Sequence, residues 1–420
     1  MHQEKNVNAR LSLSKDKIKV LLLEGIHQSA VELFENAGYT NVTRLTKALD
    51  GDALREALHG VHIVGIRSRT KLTEQVFEDA DRLMAVGCFC IGTNQVTLPS
   101  ASARGIPVFN APFSNTRSVA ELTIGEIVML LRRIPTRSME CHNGGWDKSA
   151  VNSFEVRGKT LGIVGYGNIG SQLSYLAEAM GMRVVYFDIM DKLRHGNTEP
   201  THTLEELLAQ SDVVSLHVPE TPQTKNMIGA EQFAAMKKGA YFINNARGTT
   251  VDVNALAEAL KSGHLLGAAV DTFPKEPAGN GEKFASPLQG LDNVLITPHI
   301  GGSTEEAQER IGAEVARKLI DYSDIGSTVG AVNFPQVQLP PRPTGTRFMH
   351  VHRNVPGVMR KLIDAFSSRD LNIASQFLQT DGQVGYVVIE ADGALEVAEQ
   401  ILDDIRGIEG TLRARIIYDR

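Results

Sequence analysis

The sequence predicts an α/β protein with two doubly wound parallel-sheet lobes, followed by a ferredoxin-like βαββαβ domain. Three observations support this fold class. Apolar strands alternate with helical stretches up to residue 325, as in parallel sheets covered by helices on both faces. A glycine-rich turn, GYGNIG, directly follows one of these strands. Beyond a proline-rich segment, the predicted order becomes strand, helix, strand, strand, helix, strand.

The composition limits the kinds of partner that the protein can have. A net charge of −6 and the lack of a basic cluster argue against nucleic acid. No uncharged apolar run reaches the roughly 20 residues of a membrane span, because Glu121 and Glu126 interrupt the best candidate. The polar first residues lack the apolar core of a signal peptide. With three cysteines and no CxxC pair, we expect no disulfide, no metal site and a cytoplasmic location.

The first lobe is predicted from three apolar strands, each followed by a helical stretch. These strands lie at residues 18–25, 61–68 and 83–90. A long helix at 118–135 then leads into the second lobe. The strands of the second lobe are predicted at 160–167, 183–188, 212–219, 240–248, 264–273 and 293–299. An amphipathic helix follows at 303–325, and Ser303 with Glu306 gives it a capping signature.

The remainder of the chain forms a linker and a small domain. Residues 333–346 are rich in proline and show neither a helical nor a strand period, so we predict a semi-rigid linker. Residues 347–420 carry the βαββαβ pattern of a ferredoxin-like sandwich. We therefore expect residues 347–420 to form a third domain.

The glycine-rich turn indicates a dinucleotide site. Gly165, Gly167 and Gly170 form G-x-G-x-x-G after a strand and at the start of a helix, where a pyrophosphate can approach the backbone. Asp188 ends the following strand, where a carboxylate can bind a ribose and repel the 2′-phosphate of NADP. The pattern favours NAD as cofactor. A glycine-rich turn without a ligand is the alternative.

Polar residues at three other strand ends indicate the chemistry. Arg247, Asp271 and His299 each follow a predicted strand, and Glu276 comes five residues after Asp271. Carboxyl-terminal ends of parallel strands line the ligand crevice of such a sheet. An arginine can hold a carboxylate with two hydrogen bonds, and a histidine beside an acid can exchange a proton. This set suits hydride transfer between NAD and a 2-hydroxy acid, although a single histidine is more often structural.

Together with the glycine turn, the motifs HVPETPQT, NNARG, DTFPKEP and TPHIGG resemble those of the D-2-hydroxyacid dehydrogenase family. GIRSRT, VGCFCIGTNQV and PVFNAPFSNTRSVAE, with the carboxy-terminal domain, narrow the resemblance to members that oxidise 3-phospho-D-glycerate. The resemblance implies NAD-dependent formation of 3-phosphohydroxypyruvate, the first step of L-serine biosynthesis, by a homotetramer. A dehydrogenase for another 2-hydroxy acid, or an NAD-binding corepressor without turnover, is the alternative.

The resemblance assigns roles to individual residues. It implies Arg247 as the substrate clamp, His299 as the proton donor and acceptor, and Glu276 as the partner of His299. It places the NAD contacts on Gly165, Gly167, Asn168, Ile169, Gly170, Asp188, Asn245, Ala246, Arg247, Asp271, His299, Ile300, Gly301 and Gly302.

The resemblance also implies a nested domain order. A substrate-binding lobe made of residues 14–114 and 303–332 would enclose an NAD-binding Rossmann-like domain at 115–302. The linker at 333–346 would then lead to an ACT domain at 347–420, a fold that senses small amino acids.

Arg67 and Arg69 are the candidate phosphate ligands. They stand two apart at a predicted strand end, with Ser68 between them, so both side chains would point the same way. Two guanidinium groups suit a phosphate, whereas a solvated charged edge is the alternative. Asn115 and Lys148 are further substrate residues that the resemblance implies.

The ACT-like domain predicts an effector site. By resemblance, the effector is L-serine, bound by His352 and Asn354 of one subunit and Asn372 of another. Val355 departs from serine-sensing relatives, which carry arginine there. An interaction domain without a small-molecule effector is the alternative. The predicted edge strand of this sheet also favours pairing between subunits.

Overall fold

The computed structural model describes residues 13–277, 281–340, 346–393 and 397–417. The chain divides into two compact units, one comprising the residues up to Pro112 and from Gln308 onward, the other Phe113–Ala307. A parallel sheet with helices between its strands is the centre of each unit, and the first unit also carries an antiparallel sheet. The predicted fold class is confirmed.

The first unit begins with a five-stranded parallel sheet. Its elements are β1 (Val20–Leu22), α1 (Gln28–Asn36), β2 (Val42–Arg44), α2 (Gly51–Leu58), β3 (Ile63–Ile66), α3 (Glu74–Asp79), β4 (Ala85–Cys88), α4 (Leu98–Ala103) and β5 (Val108–Asn110). The strand order is β2-β1-β3-β4-β5. The central strands are buried throughout, because helices cover both faces. Sequence reasoning missed β2 and β5, which are three residues long and, in β2, half exposed.

The second unit contains a seven-stranded parallel sheet. Its elements are α5 (Thr116–Leu131), α6 (Ile134–His142), β6 (Thr160–Val164), α7 (Asn168–Ala179), β7 (Arg183–Phe187), β8 (Glu199–Pro200), α8 (Leu204–Gln210), β9 (Val213–Leu216), α9 (Ala230–Ala235), β10 (Ala240–Asn244), α10 (Val253–Lys261), β11 (Leu265–Val270) and β12 (Val294–Ile296). The strand order is β12-β11-β10-β9-β6-β7-β8. Apart from the two-residue β8, every strand was predicted.

Two helix boundaries differ from the prediction. The helix expected at 118–135 ends at Leu131, because Arg133 adopts a left-handed conformation with φ of +53° and Pro135 opens the next helix. The later amphipathic helix, α11, spans Glu305–Ile325. Its capping oxygen is Thr304 Oγ1, which accepts a hydrogen bond from the Ala307 amide at 3.2 Å, so the predicted cap at Ser303 was wrong.

The carboxy-terminal domain has the predicted βαββαβ order. Its elements are β13 (Thr346–Arg353), α12 (Val358–Ser367), β14 (Ile373–Thr380), β15 (Val384–Ala391), α13 (Ala398–Gly407) and β16 (Thr411–Ile417). The sheet is antiparallel, in the order β14-β15-β13-β16, which leaves β14 and β16 as its edges. Across the described ranges, no helix is both long and apolar enough to cross a membrane.

The predicted linker is only partly described, since residues 341–345 lie outside the described ranges. The described part is packed rather than solvated. Phe334, Val337 and Leu339 are buried in an apolar cluster that joins the first lobe to one face of the carboxy-terminal sheet. On that sheet, the cluster includes Met349 and Tyr386. The carboxy-terminal domain therefore shares a core with the first lobe.

Candidate active site

The glycine-rich turn forms the start of α7. Gly167 is the N-cap of this helix, which begins at Asn168. Gly165 has a φ of +94°, and a Cβ there would come 2.6 Å from the carbonyl oxygen of His217. A Cβ on Gly170 would lie 2.3 Å from the Gly165 carbonyl oxygen, whereas one on Gly167 would meet nothing within 4 Å. The inner side of the turn is closed, and the open side at Gly167 suits a pyrophosphate at the helix start.

Asp188 directly follows β7 and contacts the same turn. Its Oδ2 accepts a hydrogen bond from the Tyr166 amide at 2.8 Å, and its Oδ1 accepts one from the Met190 amide at 2.9 Å. Each oxygen keeps a second lone pair for a ribose hydroxyl. Ile169 lies half-buried in the first turn of α7. These residues fit a dinucleotide, and a carboxylate at this position repels a 2′-phosphate.

The strand register brings the other candidate residues to one edge of the sheet. Asn244 at the end of β10 lies opposite Val270 of β11, and Val270 lies opposite Ile296 of β12. The residues that follow these parallel strands therefore emerge side by side. They are Asn245, Ala246, Arg247, Asp271, Glu276 and His299.

Asp271 holds the loop that carries the histidine. Its Oδ1 accepts hydrogen bonds from Thr297 Oγ1 at 2.6 Å and from the Ile300 amide at 2.8 Å, and its Oδ2 accepts one from the Gly301 amide at 2.8 Å. The carboxylate is buried. His299 has a φ of +54°, which a non-glycine residue keeps only when its surroundings fix it. Asp271 thus has a positioning role beside its predicted contact with NAD.

Glu276 and His299 form a hydrogen-bonded pair. Nδ1 of His299 donates to Oε2 of Glu276 at 2.8 Å, and Oε1 of Glu276 accepts the Phe273 amide at 3.0 Å. The hydrogen bond to Glu276, with the charges of Glu276 and Asp271, raises the pKa of His299 against the effect of burial. Burial would raise the pKa of Glu276, but its hydrogen bonds and the charges of His299 and Arg247 lower it. Nε2 of His299 is left for a substrate oxygen.

Arg247 lies in a fixed turn after β10. Its carbonyl oxygen accepts hydrogen bonds from Asn244 Nδ2 at 3.1 Å and from Thr250 Oγ1 at 2.6 Å. The side chain is half-buried, and its charge acts on the pKa values of both Glu276 and His299. The three predicted catalytic side chains therefore converge in the second unit.

A buried acid beside this turn was not predicted as a site residue. Asn245 Nδ2 donates to Glu126 Oε2 at 2.6 Å and to Thr123 Oγ1 at 3.0 Å, next to the buried Ala246. Burial raises the pKa of Glu126 to about 7, and the charge of Asp271 adds to the effect. The sequence contained a signal, because a carboxylate inside an apolar helical stretch needs a partner or a proton.

Of the further residues predicted to bind substrate, Asn115 lies near the loop that carries His299. A Cβ on Gly302 would come 2.5 Å from Nδ2 of Asn115, and Ser118 Oγ lies 2.8 Å from Thr304 Oγ1. The start of α5 therefore contacts the residues after His299. Lys148 stands in an exposed segment after α6.

The candidate phosphate ligands lie in the first unit. β3 ends at Ile66, so Arg67, Ser68 and Arg69 form a bend and not a strand end. The alternation of strand side chains, from which we predicted that both arginines point the same way, does not apply there. The bend is fixed instead by Glu24, whose carboxylate accepts the amides of Arg67 at 3.1 Å and Arg69 at 3.0 Å.

The predicted effector residues differ in exposure. His352 is 2% exposed, and its Nδ1 donates to the Arg353 carbonyl at 2.8 Å. Its Nε2 is buried without a hydrogen-bond partner among the residues that the structure describes. Asn354 is exposed and donates to the Asp381 carbonyl at 2.7 Å, and Asn372 is exposed just before β14. The buried ring nitrogen of His352 is thus two residues away in sequence from one exposed amide side chain, that of Asn354, whereas Asn372 follows 20 residues later.

The chain resembles known proteins in both of its functional parts. The family described as "D-isomer specific 2-hydroxyacid dehydrogenase, NAD binding domain" matches residues 124–301. That described as "AHAS small subunit-like ACT domain" matches residues 348–413. Among solved structures, a D-lactate dehydrogenase from Aquifex aeolicus, complexed with NAD and lactic acid, is similar with a TM-score of 0.66 at 28% identity. The similarity covers 76% of this chain and 100% of the D-lactate dehydrogenase chain. NAD is confirmed as the cofactor.

Two relatives extend the similarity over nearly the whole sequence. The D-3-phosphoglycerate dehydrogenase of Haemophilus influenzae is 57% identical over 409 residues, which is 97% of this chain and 99% of that protein. The enzyme of the same name from Escherichia coli K12 is 57% identical over 98% of this chain and 100% of its own length. The chain therefore belongs to the D-isomer specific 2-hydroxyacid dehydrogenase family, in the group of the D-3-phosphoglycerate dehydrogenases.

Proposed function

We propose that the protein oxidises 3-phospho-D-glycerate to 3-phosphohydroxypyruvate with NAD, the first step of L-serine biosynthesis. The observation that carries the proposal is the His299–Glu276 pair beside Arg247. These residues stand at the same edge of the sheet as the dinucleotide turn. The substrate follows from relatives named D-3-phosphoglycerate dehydrogenase that share 57% of the sequence.

The paired side chains account for the proton. When bound, NAD supplies the acceptor for the hydride that leaves C2 of the substrate. The carboxylate of Glu276 keeps the proton on Nδ1 of His299, so Nε2 accepts the hydroxyl proton during oxidation. In the reverse direction, the same nitrogen returns the proton to the carbonyl oxygen. The raised pKa of His299 keeps that proton available near neutral pH.

The arginines account for the two charged ends of the substrate. The guanidinium of Arg247 can hold the carboxylate through two parallel hydrogen bonds. For the phosphate we propose Arg67, Ser68 and Arg69, with Asn115 and Lys148 as further substrate residues.

An assay of NADH oxidation tests the proposed reaction. With 3-phosphohydroxypyruvate, pyruvate and glyoxylate as substrates, we expect kcat/KM to be highest for the phosphorylated acid. His299→Gln should bind NADH nearly as the wild type does but turn over roughly 10²–10⁴-fold more slowly. NADH binding without turnover of any oxo acid would indicate a corepressor-like protein. Faster reduction of pyruvate or glyoxylate would indicate another 2-hydroxyacid dehydrogenase.

We also propose feedback inhibition by L-serine in a homotetramer located in the cytoplasm. The support is the ACT-family match and the buried Nε2 of His352, which lacks a partner among the described residues. Asn354, with Asn372 of a second subunit, would complete the site. Coupling of about 1–3 kcal/mol between the effector and active sites would appear mainly as lowered turnover.

A titration with L-serine tests the regulation, with glycine and L-alanine as controls. We expect cooperative inhibition that Asn354→Ala abolishes while basal turnover is retained. Sedimentation of the same sample should give the mass of a tetramer. Full activity of a tetramer in millimolar serine would show that sensing is lost, and Val355 would then be the first residue to exchange for arginine.

A further inference from the structure

We propose that Glu24 is a positioning residue for phosphate recognition, because its buried carboxylate fixes the bend that carries Arg67 and Arg69. Gln95 fixes the same bend through the carbonyl oxygen of Arg67. This inference rests on the proposed function, in which the two arginines bind the substrate phosphate. It adds a residue that touches neither the substrate nor the cofactor and acts through the bend.

The carboxylate of Glu24 collects three backbone amides of one bend. Its Oε1 accepts the amide of Arg67 at 3.1 Å and that of Thr70 at 2.8 Å, and its Oε2 accepts the amide of Arg69 at 3.0 Å. The side chain is 3% exposed in the first unit. Successive amides that converge in this way form a concave site for an anion. Because an internal carboxylate occupies that site, an external phosphate has to be held by the arginine side chains.

The backbone of Glu24 is held in an unusual conformation. Its φ is +61°, a left-handed value that a non-glycine residue rarely adopts. The Glu24 amide donates to the Lys47 carbonyl at 3.1 Å, and the next amide, of Gly25, donates to the Leu45 carbonyl at 2.9 Å. These bonds keep the residue in place after β1. The conformation directs the carboxylate toward the bend instead of continuing the strand.

Gln95 binds the carbonyl group of Arg67, the residue whose amide Glu24 accepts. Its Nε2 donates to the Arg67 carbonyl oxygen at 2.6 Å and to the Gly92 carbonyl oxygen at 3.2 Å. The main chain of Arg67 is therefore held at its amide by Glu24 and at its carbonyl by Gln95. Within the described ranges, no carboxylate lies within salt-bridge distance of the Arg67 guanidinium. The main chain of Arg67 is fixed, and none of the described carboxylates neutralises its charge.

Arg69 is coupled to Glu24 by charge as well as by its amide. Its Nε lies 3.7 Å from Oε2 of Glu24. The side chain of Arg69 is 48% exposed, so the guanidinium can still meet a ligand. Loss of the Glu24 carboxylate would leave three backbone amides without their acceptor. The main chain from which both arginine side chains extend would then no longer be fixed. The expected loss is therefore specific to the ligand group that these arginines bind.

The experiment compares a phosphorylated substrate with its unphosphorylated analogue. For Glu24→Gln, Glu24→Ala and Gln95→Leu, we expect the KM for 3-phosphohydroxypyruvate to rise roughly 10–100-fold. The kinetic constants for hydroxypyruvate should change little. Arg44→Ala is the matched control, because Arg44 Nε donates to the Ile26 carbonyl at 2.5 Å in the loop that follows Glu24 but does not touch the bend. This control should keep both KM values.

The possible outcomes separate the inference from the proposed function. If Arg67→Ala and Arg69→Ala lose phosphate selectivity while the Glu24 and Gln95 variants keep it, the positioning role is wrong and the proposed function stands. Equal losses on both substrates in the Glu24 and Gln95 variants would assign these residues to stability alone. A wild type with no preference for the phosphorylated acid would overturn the inference together with the proposed substrate.

Discussion

Replacing Glu126 by glutamine should make the stability of the protein less dependent on pH. Glutamine keeps an acceptor for Asn245 but cannot ionise. Burial raises the pKa of Glu126 from 4.5 to about 7, so the stability present below pH 4.5 is lost as the pH rises through 7. The difference of about 2.5 units, at about 1.36 kcal/mol each, amounts to roughly 3 kcal/mol. From pH 4.5 to pH 8, the variant should gain about this much relative to the wild type.

Urea unfolding of the NAD-free protein, followed by circular dichroism at several pH values, measures this difference. Glu121→Gln is the matched control, because Glu121 stands on the same helix, is exposed, and pairs with Arg117 at 2.5 Å. Its stability should follow that of the wild type at every pH. A constant free-energy difference between Glu126→Gln and the wild type over this range would refute the reasoning, since it would show that Glu126 does not titrate there.

Three further predictions concern the active site. Glu276→Gln removes the hydrogen-bonded charge that raises the pKa of His299. In profiles of kcat against pH, the alkaline limit of the reduction reaction should therefore move to lower pH. An unchanged limit would contradict this prediction. Asp188→Ala should narrow the preference for NADH over NADPH, and an unchanged ratio of kcat/KM would show that the carboxylate does not contact the ribose. Asp271→Asn places a side-chain NH2 group opposite the Gly301 amide, so that two hydrogen-bond donors face each other. We expect kcat to fall roughly 10–100-fold. A rise only in KM for NADH would assign Asp271 to cofactor binding alone.

The sheets could be predicted because their strands are buried on both faces. Strands such as β3 and β6 consist of apolar residues throughout, and the sequence shows this directly. The edge strand β2 has polar residues at two of its three positions, so it carries no comparable signal. The break between α5 and α6 was missed because Arg133 adopts a left-handed conformation that arginine rarely takes.

The convergence of Arg247, Glu276 and His299 could be predicted from position, because each follows a strand of the same parallel sheet. The residues that support them could not. The carboxylates of Glu24 and Glu126 bind partners that are about 43 and 119 residues away in sequence. Only the folded chain brings such partners together. A carboxylate next to or inside an apolar stretch was the available signal in both cases, but it did not identify the partner.

The packed interface of the carboxy-terminal sheet affects how the protein can be dissected. Met349, Val351 and Tyr386 lie in one apolar cluster with Tyr322 and Phe334, which precede the domain in sequence. A protein truncated near residue 340 would expose the apolar surface that the carboxy-terminal sheet covers. Exposed apolar surfaces of this kind promote aggregation during purification. Loss of activity in that product would then reflect insolubility. It would carry no information on whether serine inhibits the enzyme. The proposed response to serine is therefore better tested by single exchanges in the full-length protein.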